Sequence, residues 1–364
     1  MTGRTGHGDA IVIGGGVIGL ACAAELARRR VATTLIRGHD GAESSIAAAG
    51  MLAPGMHPPG APAHSFGVAA RDLYPAFVEE LTEATGLPIP LDRRGILEIM
   101  SSEEQMDRRR SEAAEVPWLD QRALSALEPA LAPALGALHH EHDGAVDNER
   151  LVRALEAYVG TRREIVTLSA RASALELDGP HPIVLTSSGE RLEASAVVLA
   201  AGAWASQLRG LPRPLPVRPV KGQMIALPAV PVRRVAYTST GYFVPRMEGY
   251  TVVGATMEET GFDSSITRDA ADELLAAASA FTPRFQGVGA FRQWSGLRPV
   301  TPDLLPILGP DPDAPSLLYA AGHSRNGILL APVTALAVAE RIVDENATYD
   351  LAPFAIGRFQ SSSN

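Results

Sequence analysis

The chain has 364 residues, 46% of them hydrophobic and 20% charged, with a formal net charge of −9. That length exceeds one ordinary hydrophobic core, so a soluble globular protein of two domains is expected. Acidic charge spread along the chain excludes nucleic acid as a partner, because phosphate binding needs clustered Lys and Arg; the short run Arg108, Arg109, Arg110 reads as a solvated helix face. A single cysteine, Cys22, excludes an internal disulfide framework and a Cys-based metal site, and fits a reducing compartment.

Residues 1–8 show no periodicity and read as a frayed tail. Ala10 to Ala27 is nearly free of charge, but Gly14, Gly15, Gly16 and Gly19 near its start and Glu25 inside it argue against a membrane span or a signal peptide. No membrane partner and a cytoplasmic location follow as expectations. Asp9–Ile13 reads as a buried strand, Val17–Arg29 as a helix and Val31–Ile36 as a second strand, together a βαβ-type unit. Pro58, Pro59 and Pro62 with Gly55 and Gly60 mark a loop, and helical periodicity follows from Arg71 to Gly86. Gly95–Met100 reads as a strand, residues 103–128 as two short polar helices, and Leu151–Val159 as a helix. Strands are expected at Ile165–Leu175, Pro182–Thr186, Ala194–Ala200, Val217–Leu227, Tyr242–Arg246, Tyr250–Ala255 and Leu317–Ala321, before a last helix, Ile328–Val343. His139, His140 and His142, beside Glu141 and Asp143, lie on a polar turn and read as surface residues; no metal is expected.

Gly14, Gly16 and Gly19 form GxGxxG between the first strand and the first helix. The first glycine permits the turn, the second lets backbone approach a pyrophosphate at the helix N-terminus, and the third allows close helix packing. The acid that should take the ribose hydroxyls is missing: Arg37 stands at the end of the second strand, with Asp40 displaced from that position. Arg37 leaves two roles open, a contact to the phosphates or the 2′-phosphate of NADP.

Three further segments bear on the cofactor. They are Ser44–Pro54 (Ser-Ser-Ile-Ala-Ala-Ala-Gly-Met-Leu-Ala-Pro), Val197–Trp204 (Val-Val-Leu-Ala-Ala-Gly-Ala-Trp) and Ala321–Pro332 (Ala-Gly-His-Ser-Arg-Asn-Gly-Ile-Leu-Leu-Ala-Pro). They resemble the flavin-contacting segments of the D-amino-acid oxidase superfamily, and within it the glycine oxidases of the thiazole-biosynthesis type. The likeness runs from about residue 9 to about residue 343 and includes Lys221-Gly222-Gln223-Met224 and Gly296-Leu297-Arg298-Pro299. It implies an α/β fold of the D-amino-acid oxidase/glutathione reductase type, an FAD-binding Rossmann-like domain with a β-sheet-rich substrate-binding domain. The division expected is residues 1–85, 148–210 and 295–364 for FAD, and 86–147 and 211–294 for substrate. Gly14, Gly16, Val17, Ile18, Gly19 and Arg37 would hold FAD with Ser44, Ser45, Ala48, Ala49, Gly50, Met51, Ala201, Gly202 and Trp204. From the C-terminal half, Arg298, His323, Ser324, Arg325, Asn326, Gly327 and Ile328 would join them. Attachment would be noncovalent, since Cys22 lies in the first helix and no cysteine follows it.

By the same resemblance, Arg298 is the bidentate clamp for a substrate carboxylate, Tyr242 its hydrogen-bonding partner and Arg325 a charged pocket wall. Met257 and Met51 would be apolar walls. His323 is a weaker candidate for a base, because hydride loss from a neutral amine needs none. Two departures from the family pattern stand at Ser324, usually aromatic, and at Thr240, histidine in some members. Both remove bulk and make room for a substituent on the substrate nitrogen. The expected enzyme is an FAD-dependent oxidase of glycine or an N-substituted glycine, giving glyoxylate, ammonia or an amine, and hydrogen peroxide from molecular oxygen, in a biosynthetic pathway. The alternatives are a D-amino-acid or sarcosine-type dehydrogenase with a non-oxygen acceptor and a non-catalytic flavin-binding protein. A homo-oligomer is compatible with the sequence, which carries no signal that decides it.

Overall fold

Ala10–Ile13 is buried at all four positions, as a strand covered on both faces must be. The computed structural model, which describes residues 9–38, 41–343 and 348–359, places it at the centre of a six-stranded sheet. It pairs in parallel with Thr33–Ile36 on one side and Ala196–Leu199 on the other. Ile165–Leu168 extends the first side; Leu317–Ala321 extends the second, with Ile307–Pro310 antiparallel at the edge. Helices Val17–Arg28, Pro62–Thr85, Asn148–Gly160 and Gly327–Val343 bury Leu20, Leu26, Tyr74, Leu155 and Val333 against one face. On the other face Ile11, Ile13, Val197 and Leu199 meet Leu175 and Val184 from a small antiparallel sheet of Ala172–Glu176, Ile183–Thr186 and Arg191–Glu193.

A second sheet has eight strands, in the order Arg292–Val300, Arg218–Leu227, Thr251–Gly254, Gly241–Pro245, Val235–Thr238, Ile96–Met100, Gly136–His140 and Trp118–Asp120. Alternate residues serve its two faces. Ile225, Ala236, Phe243 and Val253 pack under helix Arg268–Phe281, where the Phe243 and Phe281 rings stack at 3.6 Å. The opposite face carries Met224, Tyr237, Tyr242 and Arg298, which line a cavity shared with the first sheet. A three-stranded ladder of Met51–Leu52, Gly144–Val146 and Leu91–Asp92 ties the two regions together.

Several elements differ from the sequence reading. The second long helix starts at Pro62, where a fixed φ and a missing N–H suit the first turn. Residues 165–176 form two strands in different sheets, and Trp118–Asp120 interrupts the two polar helices as an edge strand. Helix Arg268–Phe281, with the Thr267 hydroxyl accepting from Ala270 N, was not anticipated. The border expected at residue 295 falls inside strand Arg292–Val300, which pairs residue for residue from Arg292↔Ala226 to Val300↔Arg218. The polar turn at 139–143 is not a surface feature throughout: His140 and Asp143 are buried. His140 lies 3.0 Å from Glu98, and Asp143 accepts from Gly55 N and Arg71. Among the described residues, no helix is long and apolar enough to cross a membrane.

Candidate active site

The glycine fingerprint is held by contacts that no side chain would permit. Gly14 has φ 121°, and a Cβ there would lie 2.2 Å from the Ala200 carbonyl oxygen. A Cβ on Gly19 would lie 1.8 Å from the Gly14 oxygen. Ser45 then caps the cradle, its hydroxyl accepting from Val17 N at 3.0 Å. Asn148 holds the Ser45 segment through its amide, which donates to Ser45 O and Ile46 O, and Arg246 donates to Ala49 O, Val146 O and Asn148 Oδ1. Neither Asn148 nor Arg246 is marked by a local motif; only the tertiary structure brings them to this loop.

A cavity of about 1180 Å³ runs from this cradle to the eight-stranded sheet, above the ~300–1,000 Å³ of a site for one drug-sized ligand. Its walls include Gly14, Gly16, Val17, Ile18, Ser44, Ser45, Ala48, Ala49, Gly50 and Met51. Ala201, Gly202 and Trp204 follow, and the loop contributes His323, Ser324, Arg325, Asn326, Gly327 and Ile328. Gly19 stands behind the wall, where its role is packing. Asp40 lies outside the described residues. Arg37 is not part of the lining: its stem lies over Gly15 and its guanidinium pairs with Glu156 of helix Asn148–Gly160. With Arg37 engaged there, Gly38, Arg171 and Ser173 form the rim at that end.

At the far end Arg298 crosses the bare backbone of Gly222, where a Cβ would stand 2.2 Å from guanidinium nitrogens. One nitrogen, Nη1, donates to Lys221 O (3.3 Å) and Thr256 O (3.1 Å), which fixes the plane of the fork. Tyr242 shares the wall, with Gly254 leaving room for its hydroxyl. Burial pushes the phenol pKa up, against the opposing pull of Arg298 and Arg325, so the hydroxyl keeps its proton and can donate. Arg325 extends from the loop, its guanidinium 6.0 Å from the Tyr237 ring centre.

Two of the expected pocket residues are elsewhere. Thr240 sits at the tip of a hairpin, exposed, and its N–H donates to Thr238. Met257 is 62% exposed: Lys221 and Glu258 exchange backbone hydrogen bonds, so the residue between Thr256 and Glu258 turns outward. Ser324 does line the cavity, 7% exposed with φ 51°, its N–H held by Pro299 O. His323 is buried beside Thr334 (3.1 Å), and burial pushes its pKa down to about 3, so it stays neutral and anchors the loop. His57, which no motif singled out, enters the wall with its Nε2 3.0 Å from the Asn326 amide nitrogen.

A glycine-rich cradle of the dinucleotide-binding kind and the Arg298 guanidinium share one cavity, the arrangement of a nucleotide-cofactor enzyme. Residues 9–341 match the model of the FAD dependent oxidoreductase (DAO) family, and the chain belongs to that family. It is 37% identical over 372 residues to a bifunctional protein ThiO/ThiG of Synechocystis, covering 98% of this chain and 55% of that protein. The chain thus spans about half the length of that relative. The crystal structure of glycine oxidase from Geobacillus kaustophilus superposes with a TM-score of 0.90 at 33% identity, covering 98% of this chain and 100% of the other. Iminodiacetate oxidase from Chelativorans sp. BNC1 gives 0.84 at 26% identity, covering 95% and 98%.

FAD is the cofactor, and the cradle fits it: the glycines bring backbone to the cavity where side chains would block it. Cys22 is fully buried in the first helix with its thiol pKa pushed up to about 12 by burial, and it does not line the cavity. Acid precipitation is therefore expected to leave the yellow colour in the supernatant. Flavin that stays with the pellet would show a covalent bond.

Proposed function

We propose that the chain oxidises the glycine unit of glycine or an N-substituted glycine, consuming oxygen and water and releasing glyoxylate, ammonia or the amine, and hydrogen peroxide. The observation that carries this is the Arg298 fork, spread over Gly222 beside Tyr242, in the same cavity as the dinucleotide cradle. Arg298 and Tyr242 bind the carboxylate and so fix the α-carbon. Arg298 and Arg325 disfavour a protonated amine nearby, which keeps the nitrogen lone pair available as hydride leaves. When bound in the cradle, FAD would supply the two-electron acceptor for this chemistry, with oxygen as the terminal oxidant. The protein walls then hold the imine product until water adds. Peroxide formation with glycine tests the reading; turnover only with an artificial dye would instead support a dehydrogenase.

The second substrate, an N-substituted glycine, is favoured by Ser324. A small side chain occupies the cavity wall on the loop that carries Arg325, and the Chelativorans relative is named for iminodiacetate, a glycine with a carboxymethyl group on nitrogen. Ser324→Phe is expected to refill this space. The ratio of kcat/KM for a long N-alkylglycine to that for glycine should then fall about tenfold, roughly two buried methylenes at ~0.8 kcal/mol each. A ratio that ignores the mutation removes Ser324 from the substrate's surroundings. We also place the nucleotide unit around the six-stranded sheet and the substrate unit around the eight-stranded one, with the C-terminal border near residue 300, in a cytoplasmic enzyme.

A further inference from the structure

The cavity does not end at the clamp. Backbone register pairs Tyr242 with Tyr237, and Tyr237 with Glu98, so the three stand in one row across the sheet. Two strand spacings of ~4.8 Å put Glu98 about 10 Å from Tyr242, the reach of a substituent of several bonds. Helix Glu103–Glu112 packs over this strand, and Ser101, Gln105 and Arg108 close the end of the same cavity. Gln105 and Arg108 are three apart and share a helix face.

The chemistry of this end is selective. The Glu98 carboxylate is already occupied: Arg109 donates to both oxygens at 2.6 and 2.9 Å, and His140 lies 3.0 Å away. It is therefore not available for a cationic ligand. Arg108 has no hydrogen-bond or ion-pair partner among the described residues, and the Gln105 amide nitrogen has none either, so both offer donors to the space. The whole lining carries five Arg (Arg108, Arg109, Arg171, Arg298, Arg325) against three Glu (Glu43, Glu98, Glu104), whereas the chain as a whole has net charge −9. Bound FAD, whose diphosphate carries two negative charges, would offset that excess, so selectivity at this end rests on the local donors Arg108 and Gln105.

We propose that this end of the cavity is a second subsite, in which Arg108 and Gln105 receive an anionic group, a carboxylate or phosphate, at the far end of the substituent on the substrate nitrogen. The proposal rests on the N-substituted glycine reading and adds the charge of the substituent. Three N-substituted glycines of equal chain length, ending in carboxylate, methyl or ammonium, are compared with the holoenzyme. The carboxylate form is expected to have the highest kcat/KM, about five- to tenfold above the methyl form, as for one charge-assisted contact near the surface. Arg108→Gln should erase that preference and Arg108→Glu should turn it toward the ammonium form. The binding of pimelate and heptanoate, followed through the flavin absorbance, reads the subsite without turnover: pimelate should bind more tightly, and Arg108→Gln should abolish the difference. Equal affinities for the two acids, or a wild-type preference for the methyl or ammonium form, would overturn the proposal. Absence of peroxide with every glycine tested would overturn the oxidase reading alone, and the pimelate comparison would still decide the subsite.

Discussion

Replacing Arg298 with alanine is expected to lower kcat/KM by two to three decades while FAD stays bound. The fork is half-buried and Nη1 is fixed by two backbone carbonyls, so little reorganisation is needed when a carboxylate arrives. Removing one partner of a buried charge pair costs ~3–5 kcal/mol, and partial exposure brings the expected loss to the lower part of that range. Arg298→Lys should recover little of it, because an ammonium lacks the planar pair of donors. Steady-state oxygen consumption, with the flavin spectrum as the check on cofactor content, measures both. Activity within a factor of a few of wild type in the alanine variant would take the clamp away from Arg298.

Gly19→Ala should yield protein largely free of flavin. The added Cβ would meet the Gly14 oxygen at 1.8 Å and the Gly14 carbon at 2.9 Å, both backbone, so relief requires the helix to lift or the turn to move. Overpacking costs of ~3 kcal/mol correspond to about a hundredfold weaker FAD binding if the strain appears mainly in the bound form. Gly160→Ala, in a helix with open space around it, is the matched control and should retain full flavin. The ratio of flavin to protein absorbance after purification reports the outcome. Stoichiometric FAD in the Gly19 variant would mean that the turn tolerates movement and that the third glycine is not required for the cradle.

The parts of this fold visible in the sequence are those in which a local pattern coincides with a local cause. Val12, Val17 and the three spaced glycines encode strand, turn and helix within eight positions, and the structure forms them there. Leu317–Ala321 is apolar throughout because both faces are covered, and its boundaries coincide with those expected. Met257 and Thr240 went the other way. The family resemblance suggested the pocket for both, but the backbone pairing of Glu258 with Lys221 and a hairpin tip at Thr240 direct them to solvent. Arg37 could not be resolved from sequence because its partner, Glu156, lies 119 residues away on a helix whose pairing is set only in three dimensions. The same holds for His57 and Asn326, and for the burial of His140 against Glu98.

The order of strands in the central sheet has a consequence for how the chain reaches its native state. Ala10 needs Ala196 as a neighbour, and Val197 in turn needs Leu317. Strand Ala10–Ile13 finds one partner nearby, Thr33–Ile36, but its other edge waits for a strand supplied much later, and the parallel ladder closes only after Leu317–Ala321 has been made. Such non-local pairing raises the entropic barrier to closure and slows folding. The hairpins Val235–Pro245 and Gly241–Gly254, by contrast, join neighbours in sequence and can form early. During synthesis one edge of the apolar strand Ala10–Ile13 thus stays unpaired until Ala196–Leu199 is made, and the highly apolar helix Val17–Arg28 stays without its packing partner Gly327–Val343 for longer still. Chaperone demand and aggregation during expression should track that interval rather than the stability of the finished enzyme.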